Sequence, residues 1–226
     1  MRNTKLFKLC LAGIFTAVAY ISTFFVYITV ANFLTYDVKD ALITVCSMIL
    51  GPIYGVAMSL IVSFVELITV SGTGFWGFLM NFVSSAVFAA VAAWIYRRCG
   101  KLYGAFLGLG VSVVTMTAVM VLMNIYITPI YSGMPREAVI ALIPTILLPF
   151  NVSKAVLNAG LVLVLYKPLI TALRRAKLLP TSKSPDSGNK LNSFGIVRTV
   201  IVFLVAAALI SVSIAYMIFG LNGTFG

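Results

Sequence analysis

Two polar side chains lie near the start of an otherwise apolar segment, residues 149–169, and their types suit the binding of a small molecule. Lys154 follows Asn151 by three residues, a spacing that puts an amide and a cation on one face of a helix. A lysine within a membrane-spanning helix costs about 2.5–3.5 kcal/mol on insertion scales, so it needs a counter-charge, water or a ligand. The pair therefore predicts a binding site at one end of this segment.

Three further polar residues are expected at the same depth. Glu66, Asn81 and Asn124 each lie near the end of an apolar segment that the topology below assigns to the outer membrane face. We expect all five polar groups to converge in the outer third of a helical bundle. The structural alternative is that Glu66 and Lys154 neutralise each other while the asparagines tie helices together.

Aromatic residues mark the same face of the predicted bundle. An interfacial belt explains most of them, because Trp and Tyr are enriched at membrane surfaces; the set is Tyr36, Phe75, Trp76, Tyr126 and Tyr131. Phe75 belongs to a glycine-rich stretch, residues 71–77, that is predicted as an outer loop. It is therefore the aromatic side chain that we expect to contact a planar ligand.

The composition argues against an enzyme. The chain has no histidine and only five acidic residues, of which Glu66 alone lies within a predicted span. The common acid–base and metal-ligating constellations are thus missing. Gly100 and Lys101 lack the upstream glycine and the hydroxyl residue of a phosphate-binding loop. We expect no catalytic residue, no metal site and no cofactor.

The overall composition is that of an integral membrane protein. The 226 residues are 62% hydrophobic and 9% charged, whereas soluble domains are about half apolar and about a quarter charged. The net charge of +11 comes from basic residues grouped before the first apolar segment, between two later ones and after residue 165. Placing these groups in the cytoplasm gives the positive-inside asymmetry. The basic residues therefore indicate how the chain is oriented in the membrane. Membrane lipid is an expected partner, and nucleic acid is not.

The apolar segments predict an all-α membrane protein. Crossing the hydrocarbon core takes about 20 apolar residues in a helix, and six passes begin and end in the cytoplasm: residues 6–30, 41–50, 54–70, 78–96, 102–128 and 141–167. Residues 31–40 form an outer loop in which Asp37 or Asp40 could cap the next helix. The short second pass ends at the turn signal Gly51-Pro52, and a short helix is tolerated where it lines an enclosed cavity.

The C-terminal part of the chain is expected to be an appendage. Residues 1–178 form the six-helix substrate-binding domain, residues 179–193 a polar cytoplasmic linker, and residues 194–220 an additional, seventh transmembrane helix. The linker is rich in Ser, Pro and Gly and would let the last helix float beside the bundle. Truncation after residue 180 is then expected to leave ligand binding intact. The alternative is that the segment packs against the site.

These residues together resemble the riboflavin-binding S components of energy-coupling factor (ECF) transporters. The resemblance covers residues 6–175 and rests on LTYDVKDA (34–41), LGPIYGV (50–56), Glu66 before TGFWGFLMNF (73–82), Asn124 before TPIY (128–131), and LLPFNVSKAVLN (147–158). It implies a six-helix protein of a prokaryotic plasma membrane that captures riboflavin at the outer face with high affinity. It also implies a transmembrane coupling subunit and two ATPase subunits as partners, with delivery by toppling in the membrane.

The resemblance assigns roles to individual residues. The residues that contact the flavin in similar proteins are matched by Asn124, Asn151 and Lys154. A loop that closes over the ligand is matched by residues 34–37, which contain Leu34, Tyr36 and Asp37. The pyrimidine edge of a flavin alternates acceptors with an N–H donor and suits an asparagine amide, while its ribityl hydroxyls suit Glu66.

Small residues on the first helix are the expected contact with a partner. Gly13 and Ala17 lie four residues apart and permit close approach of another helix. The spacing alone does not decide whether that helix is internal or belongs to another protein. In the family the coupling-subunit contact is Ala-x-x-x-Ala, to which Gly13-x-x-x-Ala17 comes closest.

Two alternatives to a riboflavin-binding S component remain. The protein could be an S component for another vitamin or small molecule, or a membrane assembly factor that transports nothing.

Overall fold

The computed structural model describes residues 4–25, 27–30, 34–70, 72, 74–99, 102–175 and 193–216. Helices build this part of the chain, together with one antiparallel hairpin of strands β1 (Tyr27–Val30) and β2 (Leu34–Asp37). The α-helices are α1 (Thr4–Phe25), α2 (Lys39–Leu50), α3 (Pro52–Thr69), α4 (Gly74–Cys99), α5 (Leu102–Ser132), α6 (Arg136–Leu142), α7 (Leu148–Arg175) and α8 (Ser193–Ala215). A π-helix, Ile143–Leu147, connects α6 to α7.

The described helices include five segments that are long and apolar enough to cross a membrane: Lys5–Phe25, Pro52–Thr69, Gly74–Cys99, Tyr103–Ser132 and Arg136–Leu173. Helix α2 has only 12 residues and is short for a span. The helical, multi-pass architecture agrees with the sequence-based expectation. The count of six passes plus a seventh stays a prediction.

A sharp turn joins α2 to α3, as the Gly51-Pro52 pair predicts. Gly51 has a φ of 126°, a conformation that a side chain would strain. Pro52 occupies the first turn of α3, where a missing N–H is harmless. The Arg97 guanidinium donates to the Leu50 carbonyl at 3.4 Å, which satisfies one of the free carbonyls at the end of α2. The short second helix is therefore fixed at its inner end.

Helices α4 and α5 approach each other at backbone distance. A Cβ built at Gly108 would lie 2.8 Å from the carbonyl oxygen of Ala92. Small residues allow such close contacts. Van der Waals packing at these contacts holds helices together in lipid, where apolar side chains gain nothing by leaving the solvent. The main core of the bundle lies around this contact, and its buried members include Val45, Phe88, Leu109, Met116 and Val162.

The first outer segment differs from its prediction. Helix α1 ends at Phe25 rather than at residue 30, and the chain continues as the β1–β2 hairpin. The predicted loop 31–40 is therefore wrong from residue 34 onwards, because strand β2 and the first turn of α2 occupy it; residues 31–33 lie outside the described residues. Val38 is the N-cap of α2 and no side chain caps this helix, so the predicted capping by Asp37 or Asp40 is also wrong.

The second outer segment and the sixth pass also depart from expectation. Helix α4 begins at Gly74, so the predicted loop 71–77 is wrong from that residue onwards, while residues 71 and 73 lie outside the described part. The sixth pass is interrupted by the π-helix, which has Pro144 in its first turn. Proline removes a backbone donor and collides with the preceding turn, which accounts for the break in the α-helical pattern.

Helix α8 packs against α7, and the expectation that this segment floats beside the bundle is wrong. Ala206 is fully buried, and a Cβ at Gly160 of α7 would lie 3.1 Å from the Ala206 carbonyl oxygen. Val202 and Leu209 pack on the main core. Most of the predicted linker, residues 179–192, lies outside the described residues, as do residues 217–220.

Candidate functional site

The β1–β2 hairpin covers the start of α7 and brings the first three candidate residues into the protein. Its register pairs Tyr27 with Asp37 and Val30 with Leu34. Leu34 and Tyr36 are buried in an apolar cluster formed with α6, the π-helix and the first turn of α7. The ring of Tyr36 meets that of Phe150 edge-on at 4.9 Å between centroids, a favourable aromatic geometry. The hairpin is thus docked on the helix that carries Asn151 and Lys154.

Buried ion pairs connect the hairpin, α2, α3 and α7. The Nζ atom of Lys154 lies 2.9 Å from Oδ2 of Asp37, and the Nζ atom of Lys39 lies 2.5 Å from Oε2 of Glu66. A longer contact of 3.8 Å joins Lys39 to Asp37. Together with Asp40, these residues form what we call the outer ion network, and all five side chains are buried.

Neutral side chains complete the hydrogen bonding around the outer ion network. The Ser85 hydroxyl of α4 donates to Oδ1 of Asp40. Asn158 of α7 accepts from the Ala41 backbone N–H at 3.1 Å and donates to the Asp37 carbonyl at 3.3 Å. One amide therefore ties the first turn of α2 and the end of β2 to α7, which is the helix-tying role that the sequence suggested for asparagines in general.

The outer ion network has more acidic groups than basic ones. Three carboxyl groups lie with two ammonium groups, and Asp40 is the carboxyl group for which no ion pair is found among the described residues. Burial raises the pKa of Asp37, but the neighbouring Lys154 and Lys39 ammonium groups outweigh it and hold that pKa below its ordinary value. The hairpin carboxylate is therefore ionised at neutral pH and can bind a cation or accept hydrogen bonds.

Glu66 has a different partner from the one considered above. Its carboxylate pairs with Lys39, so direct neutralisation of Glu66 by Lys154 is wrong. Lys39 was placed in an outer loop, yet its side chain is only 2% exposed. The second oxygen of Glu66, Oε1, is buried without a hydrogen-bond partner among the described residues. A buried unpaired acceptor is costly, and Oδ1 of Asp37 is a second one among the described residues of the network, so a hydroxyl donor would fit at either atom.

Asn124 and Asn151 are buried, and each hydrogen-bonds within its own helix. The Asn124 side-chain amide donates to the Met120 carbonyl at 2.7 Å and its oxygen accepts from the Thr128 hydroxyl at 2.9 Å. The Asn151 amide donates to the Leu147 carbonyl at 2.7 Å. Within the described residues neither amide hydrogen-bonds to another helix, so the helix-tying explanation fits Asn158 and not these two.

The two candidates on α4 are placed differently. Asn81 is half-buried one turn before Ser85, on the face of α4 that reaches Asp40. Phe75 is 59% exposed and belongs to a helix rather than a loop. Its ring contacts Trp76 at 5.7 Å and Phe78 at 5.9 Å between centroids. Phe75 therefore lies on the surface. Its contact with a planar ligand was predicted because it was expected in a glycine-rich loop, and the structure has a helix there instead.

The expected partner face on α1 is free in the described structure. Gly13 and Ala17 are both exposed, whereas Leu11, Phe15 and Ala19 are buried against the bundle. A Cβ added at Gly13 would have no neighbour within 4 Å. A helix from another protein could therefore approach α1 at Gly13 and Ala17. That these two residues contact the coupling subunit stays a prediction.

Sequence reasoning missed four members of the site. Lys39, Asp40, Ser85 and Asn158 were not among the candidates, although the first two stand beside Asp37 in the motif LTYDVKDA and the last follows Lys154 by four residues. The signal that could have found Lys39 and Asp40 is charge density, whereas Ser85 and Asn158 are uncharged and lie outside it. Three ionisable residues within four positions at the start of a membrane-inserted helix must be paired inside the protein.

Comparison with known proteins identifies the family. A family profile described as "ECF transporter, substrate-specific component" matches residues 7–166. A solved structure titled "Structure and mechanism of the S component of a bacterial ECF transporter" superposes with a TM-score of 0.64 at 24% identity, covering 74% of this chain and 98% of that one. No curated protein gives a significant match. Members of this family are transport subunits that associate with a membrane module of ATPases and a T component. The chain belongs to the family of substrate-specific components of ECF transporters and is a multi-pass membrane transport subunit.

Proposed function

We propose that this protein is a high-affinity riboflavin-binding S component in a prokaryotic plasma membrane. It captures riboflavin at the outer face and delivers it through an ATP-driven complex with a transmembrane coupling subunit and two ATPases. Family membership supports the transport role, and the sequence resemblance described above supports riboflavin as the ligand. The alternative of a vitamin other than riboflavin concerns the same site, whereas the assembly-factor alternative has no support from the family.

The observation that carries this proposal is the position of Asn151 and Lys154. Both side chains are buried in the first two turns of α7, beneath the hairpin that Tyr36 anchors on Phe150. An ammonium group has three donors, and the ion pair with Asp37 occupies one of them. The others can serve an acceptor on a flavin ring, while the asparagine amide supplies the mixed donor and acceptor that the pyrimidine edge requires.

A second part of the proposal concerns the sugar-derived chain of riboflavin. The unpartnered Oε1 atom of Glu66 is an acceptor for a ribityl hydroxyl. Glu66 is linked to Lys154 through Lys39 and Asp37, so the acceptor and the lysine belong to one continuous polar cluster. Tyr36 and Phe150 replace Phe75 as the aromatic groups proposed for a planar ring, because both are buried, their rings meet, and Phe150 directly precedes Asn151.

Ligand titration of the purified full-length protein tests the proposal. Riboflavin fluorescence should be quenched at a 1:1 ratio, and the protein should retain a flavin absorption band after gel filtration. Ligand at a hundredfold excess over Kd should stabilise the fold by about 2.7 kcal/mol. Thiamine and biotin serve as controls. Stabilisation by one of these instead of riboflavin would assign another vitamin to the site, and no response to riboflavin would refute the proposed ligand.

A further inference from the structure

Helix α8 forms a close seam with α7 beside the candidate site. A Cβ at Gly160 would lie 2.9 Å from Cγ1 of Ile210 and 3.1 Å from the Ala206 carbonyl oxygen. These distances show a tight crossing at which any larger residue on α7 would have to displace the Ile210 side chain and shift the α8 backbone by a few tenths of an ångström. The seam is a specific helix–helix contact, which a loosely attached appendage would not need.

The outer end of α8 is hydrogen-bonded next to the ligand-binding residues. The Ser153 hydroxyl donates to the Ser213 carbonyl at 3.3 Å, and Ser153 directly precedes Lys154 in α7. Ser213 lies in the last turn of α8, where carbonyls lack an intrahelical donor and need one from elsewhere. The contact therefore fixes the depth of α8 relative to the site.

The residue after α8 reaches the hairpin itself. Tyr216 packs on the apolar cluster that contains Leu34 and Tyr36 of β2 together with Phe150 of α7. Strand β2 is held to α7 through the Asp37–Lys154 ion pair, and its buried residues Leu34 and Tyr36 belong to the apolar cluster against which Tyr216 packs.

We propose that α8 is a positioning element that keeps the hairpin closed over the binding site, with Tyr216 as its contact residue. This inference rests on the proposed function for the ligand, riboflavin, whose exit requires the hairpin to lift. Bracing of the closed hairpin slows dissociation, and it also slows association, because the ligand-free protein must open the same hairpin to admit riboflavin. The sequence led us to expect that removal of the C-terminal segment leaves ligand binding intact, and this proposal replaces that expectation.

Hydrogen exchange of the ligand-free, full-length protein tests the bracing directly. Tyr216→Ala should speed amide exchange in strands β1 and β2, residues 27–30 and 34–37, by about tenfold, while exchange in α3 stays at the wild-type rate. Val212→Ala removes a side chain of α8 that is 65% exposed, and this control should leave hairpin exchange unchanged. Wild-type exchange of the hairpin in a folded Tyr216→Ala protein would overturn the proposal. Should that variant not fold, Ser153→Ala tests the same seam with the same criterion.

Riboflavin kinetics supply the second readout. Tyr216→Ala should raise the dissociation rate about three- to tenfold, the effect of losing one aromatic contact, and association should also become faster, because entry requires the same opening of the hairpin. Tyr216→Phe keeps the ring and should restore slow dissociation. A dissociation rate that stays at the wild-type value in the Tyr216→Ala protein would contradict a role in hairpin closure. If no riboflavin binds to the wild-type protein, the proposed ligand fails, and the exchange measurement still decides whether α8 braces the hairpin.

Discussion

Lys154 of α7 and Asp37 of β2 form a buried ion pair with 2.9 Å between Nζ and Oδ2. The lysine that the proposed function assigns to the ligand is therefore also the residue that holds the hairpin over the site. A buried pair is a weak source of stability by itself, but removal of one partner leaves an uncompensated charge. Closure of the hairpin and binding of a ligand thus depend on the same ammonium group.

A double-mutant cycle on this pair should show strong coupling. Lys154→Met should destabilise the ligand-free protein by about 3–5 kcal/mol, because Asp37 is left buried with only the 3.8 Å contact to Lys39. Adding Asp37→Asn should recover most of that loss, since both substituted side chains are then neutral and no charge at position 37 is left without its partner. Thermal unfolding in detergent measures the effect. Losses that simply add in the double variant would show that the two residues do not stabilise each other.

Ligand affinity should depend on both candidate residues of α7. Lys154→Ala and Asn151→Ala should each weaken riboflavin binding by roughly ten- to a hundredfold, the cost of about 1.5–3 kcal/mol for a lost hydrogen bond to a charged group. Asn151→Ala is the cleaner test because Asn151 lies outside the outer ion network. Thr171→Ala, on the exposed side of the same helix, is the matched control. Unchanged affinity in both site variants would rule out the assigned site.

The exposed small residues of α1 should matter for assembly alone. Gly13→Leu adds a side chain where the described structure has open space, so folding and riboflavin affinity should stay at wild-type values. Co-purification with the coupling subunit and ATP-dependent uptake should fall by at least tenfold if another helix approaches at Gly13. Val114→Leu, at a 70% exposed position of α5, controls for added bulk on the surface. Normal assembly of the Gly13 variant would place the partner face elsewhere.

Two glycines of α5 give a matched test of helix packing. Gly108→Ala should destabilise the protein, because the new Cβ would lie 2.8 Å from the Ala92 carbonyl oxygen. Gly110→Ala faces open space and should be neutral or slightly stabilising, since Ala is the better helix former by up to about 1 kcal/mol. Thermal unfolding of the two variants in one detergent compares them. Equal behaviour would mean that α4 and α5 do not meet at Gly108.

The sequence predicted helices better than contacts. The short second helix and its turn at Gly51-Pro52 follow from local chemistry, and the structure contains both. The hairpin was missed because its first strand, YITV, continues the apolar run of α1 without a break. An apolar run of that kind predicts the last turn of a membrane-spanning helix. The pairing of β1 with β2 depends on residues further along the chain, so the local pattern could not reveal it.

The candidate site was found in part for a similar reason. Asn151 and Lys154 stand out because polar groups in an apolar helix need an explanation. The partner of Glu66 could not be derived, because Lys39 and Lys154 are both cations near the outer face and only the rotation of each helix decides between them. Phe75 shows the opposite error, since a glycine-rich stretch suggested a loop where α4 already begins.

The separation of charge partners along the chain has a consequence for biosynthesis. Lys39 is 27 residues from Glu66, but Asp37 is 117 residues from Lys154. While the ribosome is still making the middle of the chain, Asp37 has no Lys154 with which to pair, and long-range contacts form slowly. Helix α2 should therefore reach its buried position only after α7 has emerged. Thiol labelling of the fully buried Cys46 in arrested nascent chains, with Cys10 and Cys99 replaced by serine, measures this order. Protection of Cys46 in chains that end before residue 154 would contradict it.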